Sequence, residues 1–106
     1  MRKNCKQAFE NWMVGSDSHP ARSIWTDGET LWSYGTAIAT RDDNLEVIFN
    51  ATRYSPTTTC HQNAIFRALR DAGMEIHVVT DIHRGAGPYS LHMGEKIDVT
   101  NRSYKG

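Results

Sequence analysis

Residues 50–62, NATRYSPTTTCHQ, gather an Asn, an Arg, a Tyr, a Ser, four Thr, a Cys, a His and a Gln around one proline. Anion recognition suits these residue types. A helix opening just after Pro56 presents N–H groups that its first turn leaves unpaired, and Ser55, Thr57, Thr58 and Thr59 ring that end with Arg53 nearby. Tyr34 or Tyr54 would stack a base. There is no glycine-rich loop and no Lys at the P-loop position, so a triphosphate-binding loop of the usual kind is excluded.

Proton transfer is a second chemistry. His61 is the candidate general base, with Tyr54 or Cys60 assisting. A Cys60–His61 nucleophile pair is disfavoured because adjacent helical residues diverge by about 100°, and no oxyanion-hole motif accompanies it. The third reading is architectural. Thr59-Cys60-His61-Gln62 fits an S/T-x-x-E/Q capping box, with Thr57 and Thr58 as alternative caps. His61 falls within the apolar arc of Ile65, Ala68 and Ala72, so it points toward a sheet and can tie helix to strand by a hydrogen bond. The candidate binding residues are therefore Tyr34, Asn50, Arg53, Tyr54, Ser55, Thr57, Thr58, His61 and Gln62.

The stretch HVVTDIH is a second constellation. In a strand, His77, Val79, Asp81 and His83 share one face. His77 and His83 would then lie about 20 Å apart, too far for one tetrahedral site. Asp81 with His83 remains as a metal-ligating pair, against the alternative of a simple solvent-facing edge.

These groups need elements to hold them. Cys5, Ala8, Phe9, Trp12 and Met13 recur at helical spacing and Gly15 follows, which predicts a helix over 3–14 with Cys5 as a small core residue. Asp27-Gly28 between β-prone runs predicts a hairpin, and a two-residue turn would pair Thr26 with Glu29. The second strand is expected to run on through SYGTAIATR to a turn at Asp42-Asp43, and NLEVIFNATRY to return, ending before Pro56. Period-two alternation then places Trp25, Trp32, Tyr34, Ile38, Val47 and Phe49 on the core face. The other face, with Leu31, Ser33, Gly35, Ala37, Ala39, Ile48, Asn50, Thr52 and Tyr54, is mostly small and uncharged. Either a helix packs there, or a partner or second copy does. A helix from about Thr58 to Ala72 and a strand over 74–83 follow. Residues 83–106 carry little pattern beyond a short strand expected near 89–92. The expected fold class is α+β: a small antiparallel sheet, a β-meander plus one further strand, packed with two helices in the order α-β-β-β-α-β.

The chain of 106 residues is long enough for one domain with one core. Its twelve basic and twelve acidic residues balance, which argues against a protein that coats duplex nucleic acid by charge. Cys5 and Cys60 make no disulfide framework. Neither a leader nor a membrane span is expected, so the reading is a reduced, cytoplasmic protein in which the sequons at Asn50 and Asn101 are accidental. No cofactor is expected.

SYGTAIA and NATRYSPTTTCHQ together resemble a core found in small uncharacterised proteins of phages and other mobile elements, with an S-Y-G-T-x-I-A strand and an N-x-T-x-Y-S-x-T-T-x-x-H-Q junction. The resemblance spans about Trp32 to Gln62 and marks Tyr34, Gly35, Thr36, Asn50, Tyr54, Ser55, Thr57, Thr58, His61 and Gln62 as shared. It implies a genomic setting of host takeover or defence evasion and brings no settled activity. The leading expectation is a non-enzymatic, anti-defence inhibitor that contacts a host protein or complex, using the small-residue face and the second helix's N-terminus, with a homodimer through that face as a further option. The alternatives are a binder of a nucleotide signal or single-stranded nucleic acid, and a small hydrolase or transferase with His61 as base.

Overall fold

The computed structural model describes residues 2–42 and 44–98 and has the expected α+β architecture. The elements are α1 (Lys3–Met13), β1 (Ile24–Thr26), β2 (Thr30–Ser33), β3 (Thr36–Arg41), β4 (Val47–Asn50), α2 (Pro56–Asp71), β5 (Ile76–Val79), α3 (Pro88–Met93) and β6 (Ile97–Asp98). The six strands lie side by side in chain order. Neighbours pair antiparallel except β4 and β5, which run parallel because α2 carries the chain back between them.

α1 forms where its apolar stripe predicted, burying Cys5, Ala8 and Trp12. It shares one face of the sheet with α2, whose Ile65, Phe66 and Leu69 pack with Ile24, Leu31, Val47, Phe49, Ile76 and Val78. α3 and the segment before it cover the other face, where Ala37, Ile48, Val79, Ile82, Ala86 and Leu91 form a second cluster with Trp32 against it. Fully burying each large apolar side chain is worth about 1.5–3 kcal/mol, so both layers contribute.

The strand faces differ from strict alternation for two reasons. The expected continuous second strand is a hairpin instead, turning at Tyr34-Gly35 with Tyr34 in the left-handed region at φ 53°. A bulge then lets Leu31 pair with Ala39 and Trp32 with Ala37, leaving Ile38 as the extra residue. Leu31 and Ala39 therefore join the α1–α2 core, while Trp32 lies on the α3 side. Trp25 and Trp32 do share a face, as directly opposed partners with centroids 5.1 Å apart. The first hairpin pairs Thr26 with Leu31 rather than Glu29, because Asp27 closes a longer loop by accepting the Glu29 and Thr30 N–H groups.

The small-residue face is filled from within the chain. Its expected residues are divided between the two cores, Leu31 and Ala39 toward α1 and α2, Ala37 and Ile48 toward α3, and all four are fully buried, which leaves none of them exposed for the expected homodimer or partner contact. The segment expected as a strand over 74–83 keeps strand geometry only to Val79, and Asp81 turns away at φ 60°. The short strand expected near 89–92 is instead α3, started by Pro88 at its first position. Asp43 of the expected turn and the Asn101 sequon lie outside the described residues.

Candidate functional site

α2 begins earlier than a Thr59 box would place it. Ser55 is the N-cap, with an extended backbone, and its Oγ accepts the Thr58 N–H at 3.2 Å. Pro56 occupies the first turn, where its missing N–H costs nothing. With Ser55 doing the capping, the Thr57 hydroxyl is left exposed at the helix mouth, and the Thr57 N–H has no intrahelical partner by position.

That mouth opens into a cleft of about 360 Å³. Three separate stretches build it: Ser33–Thr36 at the β2–β3 turn, Tyr54–Thr58 at the entry to α2, and Arg84-Gly85. The segment carrying this last stretch is held across the top of the sheet by backbone N–H groups donated to threonine side chains at the β2–β3 turn and on the β4–α2 connection. Ile82 donates to Thr52 Oγ1 at 3.0 Å and Gly85 to Thr36 Oγ1 at 2.9 Å. Ala37 N–H, in turn, donates to the Ala86 carbonyl at 2.8 Å. Arg84 is thereby set at the rim, exposed, with its guanidinium uncommitted among the described residues.

Of the residues expected in a site, Tyr34, Tyr54, Ser55, Thr57 and Thr58 line this cleft. The others support it from behind. His61 is 3% exposed and its Nδ1 lies 2.8 Å from Ser33 Oγ. Ser33 in turn donates to Thr58 Oγ1 at 3.2 Å, which leaves the imidazole Nδ1 to carry the proton in the Ser33 contact. Burial, reinforced by the positive charge of Arg2, pushes the His61 pKa below its ordinary 6.5. His61 is thus a neutral strut between α2 and β2, and as a base it would lie beneath the cleft rather than in it.

Asn50 and Gln62 clamp the connection from β4 to α2. Asn50 Nδ2 donates to the Ala37 carbonyl at 3.0 Å and to the Tyr54 hydroxyl at 2.9 Å. Gln62 Nε2 donates to the Asn50 and Thr52 carbonyls at 2.7 Å each. The Tyr54 hydroxyl donates to the Ile82 carbonyl at 2.6 Å, so this phenol is fully committed and only its ring faces the cleft. Arg53 reaches the other way, to Gln62 Oε1 and Asn63 Oδ1; the cleft's cation is Arg84, which lies just past the expected 74–83 strand and carries no local motif. Cys60 is exposed and is absent from the cleft wall. Asp81 and His83 are exposed on the turn after β5, and neither belongs to a metal-ligating trio among the described residues.

Residues 6–77 match the model of a family of unknown function, DUF8033. The match covers more than half of the chain, which therefore belongs to that family, and it takes in most of α1, the meander, α2 and the start of β5. No curated protein and no solved structure matches the chain.

Proposed function

We propose that this DUF8033 protein is a binding protein that takes a phosphorylated ligand, a nucleotide signal or the end of a single-stranded nucleic acid, in the Tyr34–Tyr54–Arg84 cleft. The observation that carries the reading is the meeting, across one concave space, of the α2 N-terminus and a guanidinium uncommitted among the described residues. A phosphate seated there receives the Thr57 N–H and hydroxyl from one side and the Arg84 charge from the other. Tyr34, 51% exposed at the rim, offers a ring for a base to stack on. The near-neutral charge of the whole chain suits one local anion site rather than a tract of backbone phosphates.

A thermal-shift screen of wild type and Arg84→Ala against nucleotides, cyclic oligonucleotides and short single strands tests it. A ligand at 100 times its Kd adds about 2.7 kcal/mol, a rise of more than about 10 °C for a domain this small. The expected result is a shift in wild type that Arg84→Ala loses. An unchanged melting temperature across the panel, or an equal shift in both proteins, sinks the reading.

The resemblance to mobile-element proteins supports a second reading, an anti-defence inhibitor that grips a host macromolecule in the cytoplasm of an infected cell. Its specific support is Tyr34, a bulky residue held half-exposed at positive φ where glycine would be easier. Tyrosines so presented are frequent interface anchors. Capture of a stoichiometric host protein that Tyr34→Ala fails to capture would favour this reading over the first. No helix among the described residues is long and apolar enough to cross a membrane.

A further inference from the structure

At the opposite end of the β4–β5 pair from the cleft, the parallel register brings together three side chains that the proposed binding reading leaves unused. Val47 pairs with Ile76 and Ile48 with His77, so Glu46 and Glu75, one residue before each strand, stand side by side. Alternation then puts both carboxylates on the same face as His77. His77 Nε2 lies 2.6 Å from Glu46 Oε2, and one ligand atom from each of Glu46, Glu75 and His77 lies within 4.8 Å of the others. Two carboxylates this close repel unless a cation sits between them.

We propose that Glu46, Glu75 and His77 form a site for a divalent first-row transition-metal ion, with solvent completing the coordination. One imidazole and two carboxylates suit Zn²⁺-type ions, and the absence of thiolate from the set sets it apart from the soft sites preferred by Cu(I). Tetrahedral ligands with metal bonds of about 2.0–2.2 Å stand about 3.4 Å apart. The His77–Glu46 contact would open by less than about 1 Å when an ion replaces the shared proton, a movement that side-chain rotation supplies. Glu75 is exposed and free to swing inward, whereas Glu46 and His77 are half-buried and set by the ladder. The ion would fasten β5 to β4 at the point where the chain returns from α2.

Isothermal titration of the 106-residue chain with Zn²⁺ at neutral pH tests the proposal. The expected result is one ion per chain, with affinity falling at least about tenfold in Glu75→Gln and in His77→Ala, since even outer-shell losses commonly cost that much. His83→Ala, on the exposed turn, should bind as wild type does. Circular dichroism checks folding, and because Glu75 is exposed its variant carries the test even if His77→Ala folds poorly. No binding at millimolar Zn²⁺ would overturn the site in favour of a simple His77–Glu46 hydrogen bond. Binding that Glu75→Gln leaves unchanged would overturn it as well, because the ion would then be held elsewhere.

Discussion

His61 shows how one side chain serves the site without entering it. Its imidazole is neutral because burial and the Arg2 charge disfavour the proton, and its bond to Ser33 connects the α2 mouth to the β2–β3 turn. Removing it leaves the buried Ser33 hydroxyl without the imidazole donor, so His61→Ala should cost about 1–3 kcal/mol in urea unfolding. The pH sign follows from the depressed pKa. Stability from the neutral form is fully present above the unfolded value of 6.5 and is lost as pH falls from there through the lower folded value. The difference between wild type and His61→Gln should therefore shrink between pH 7.5 and pH 5, and a difference that stays constant would contradict a neutral buried imidazole. The inward position of His61 was legible from the helical wheel, and Tyr54, Ser55, Thr57 and Thr58 stood out by residue type at the entry to α2. Arg84 was not, since nothing in IHRGAG states that the chain crosses the top of the sheet there. That crossing is set by Thr36, Thr52 and Tyr54, remote in sequence.

Among the elements, those with strong local signals stand where the sequence put them. α1 has its stripe and Gly15 stop, the first hairpin its Asp27-Gly28, and α2 its apolar face. The misread ones are decided by single residues acting against their neighbours. Tyr34-Gly35 breaks an apparently continuous strand, Ile38 shifts the parity by one, and Asp81 ends β5 two residues after a run of alternation. α3 has only six residues and so shows no full period. The β1–β2 loop illustrates the energetics. Burial pushes the Asp27 carboxyl pKa up, but the Thr30 and Glu29 N–H groups and the Trp32 indole together outweigh it and leave the pKa below the ordinary 3.8. Asp27→Ala should cost about 1–2 kcal/mol at pH 7. Asp27's contribution is whole above pH 3.8 and is lost as pH falls through the lower folded value, so acid titrations of wild type and variant should converge there. Gly28 adds a steric demand, since a Cβ there would meet the Gly15 carbonyl at 2.7 Å at a φ of +98°. Gly28→Ala should consequently lower the melting temperature without altering ligand binding at the distant cleft.

For the molecule as a whole, the sheet is a partition between two cores, and α1 is fastened to it by a few specific contacts as well as by area. Trp12 is fully buried, its indole N–H donates to the Glu29 carbonyl at 2.8 Å, and the Arg41 guanidinium stacks 3.9 Å from its ring centroid. Arg41 also donates to the Trp12 carbonyl at 2.6 Å, so one cation holds both the ring and the end of the helix. Trp12→Ala should cost about 3–5 kcal/mol, a large part of the roughly 5–15 kcal/mol on which a domain of this size stands. The subtler test is a cycle of Trp12→Phe and Arg41→Met, which keeps apolar bulk at both positions. If the stacking is energetically real, the two changes should be non-additive by about 0.5–2 kcal/mol in urea unfolding followed by circular dichroism. Additive costs would show that the ring–guanidinium stacking contributes nothing, and that Arg41 acts only through its bonds to the Trp12 and Gly28 carbonyls. In that case Arg41→Met by itself should still lower stability, because the carbonyl at the end of α1 would lose a donor whichever ring occupies position 12.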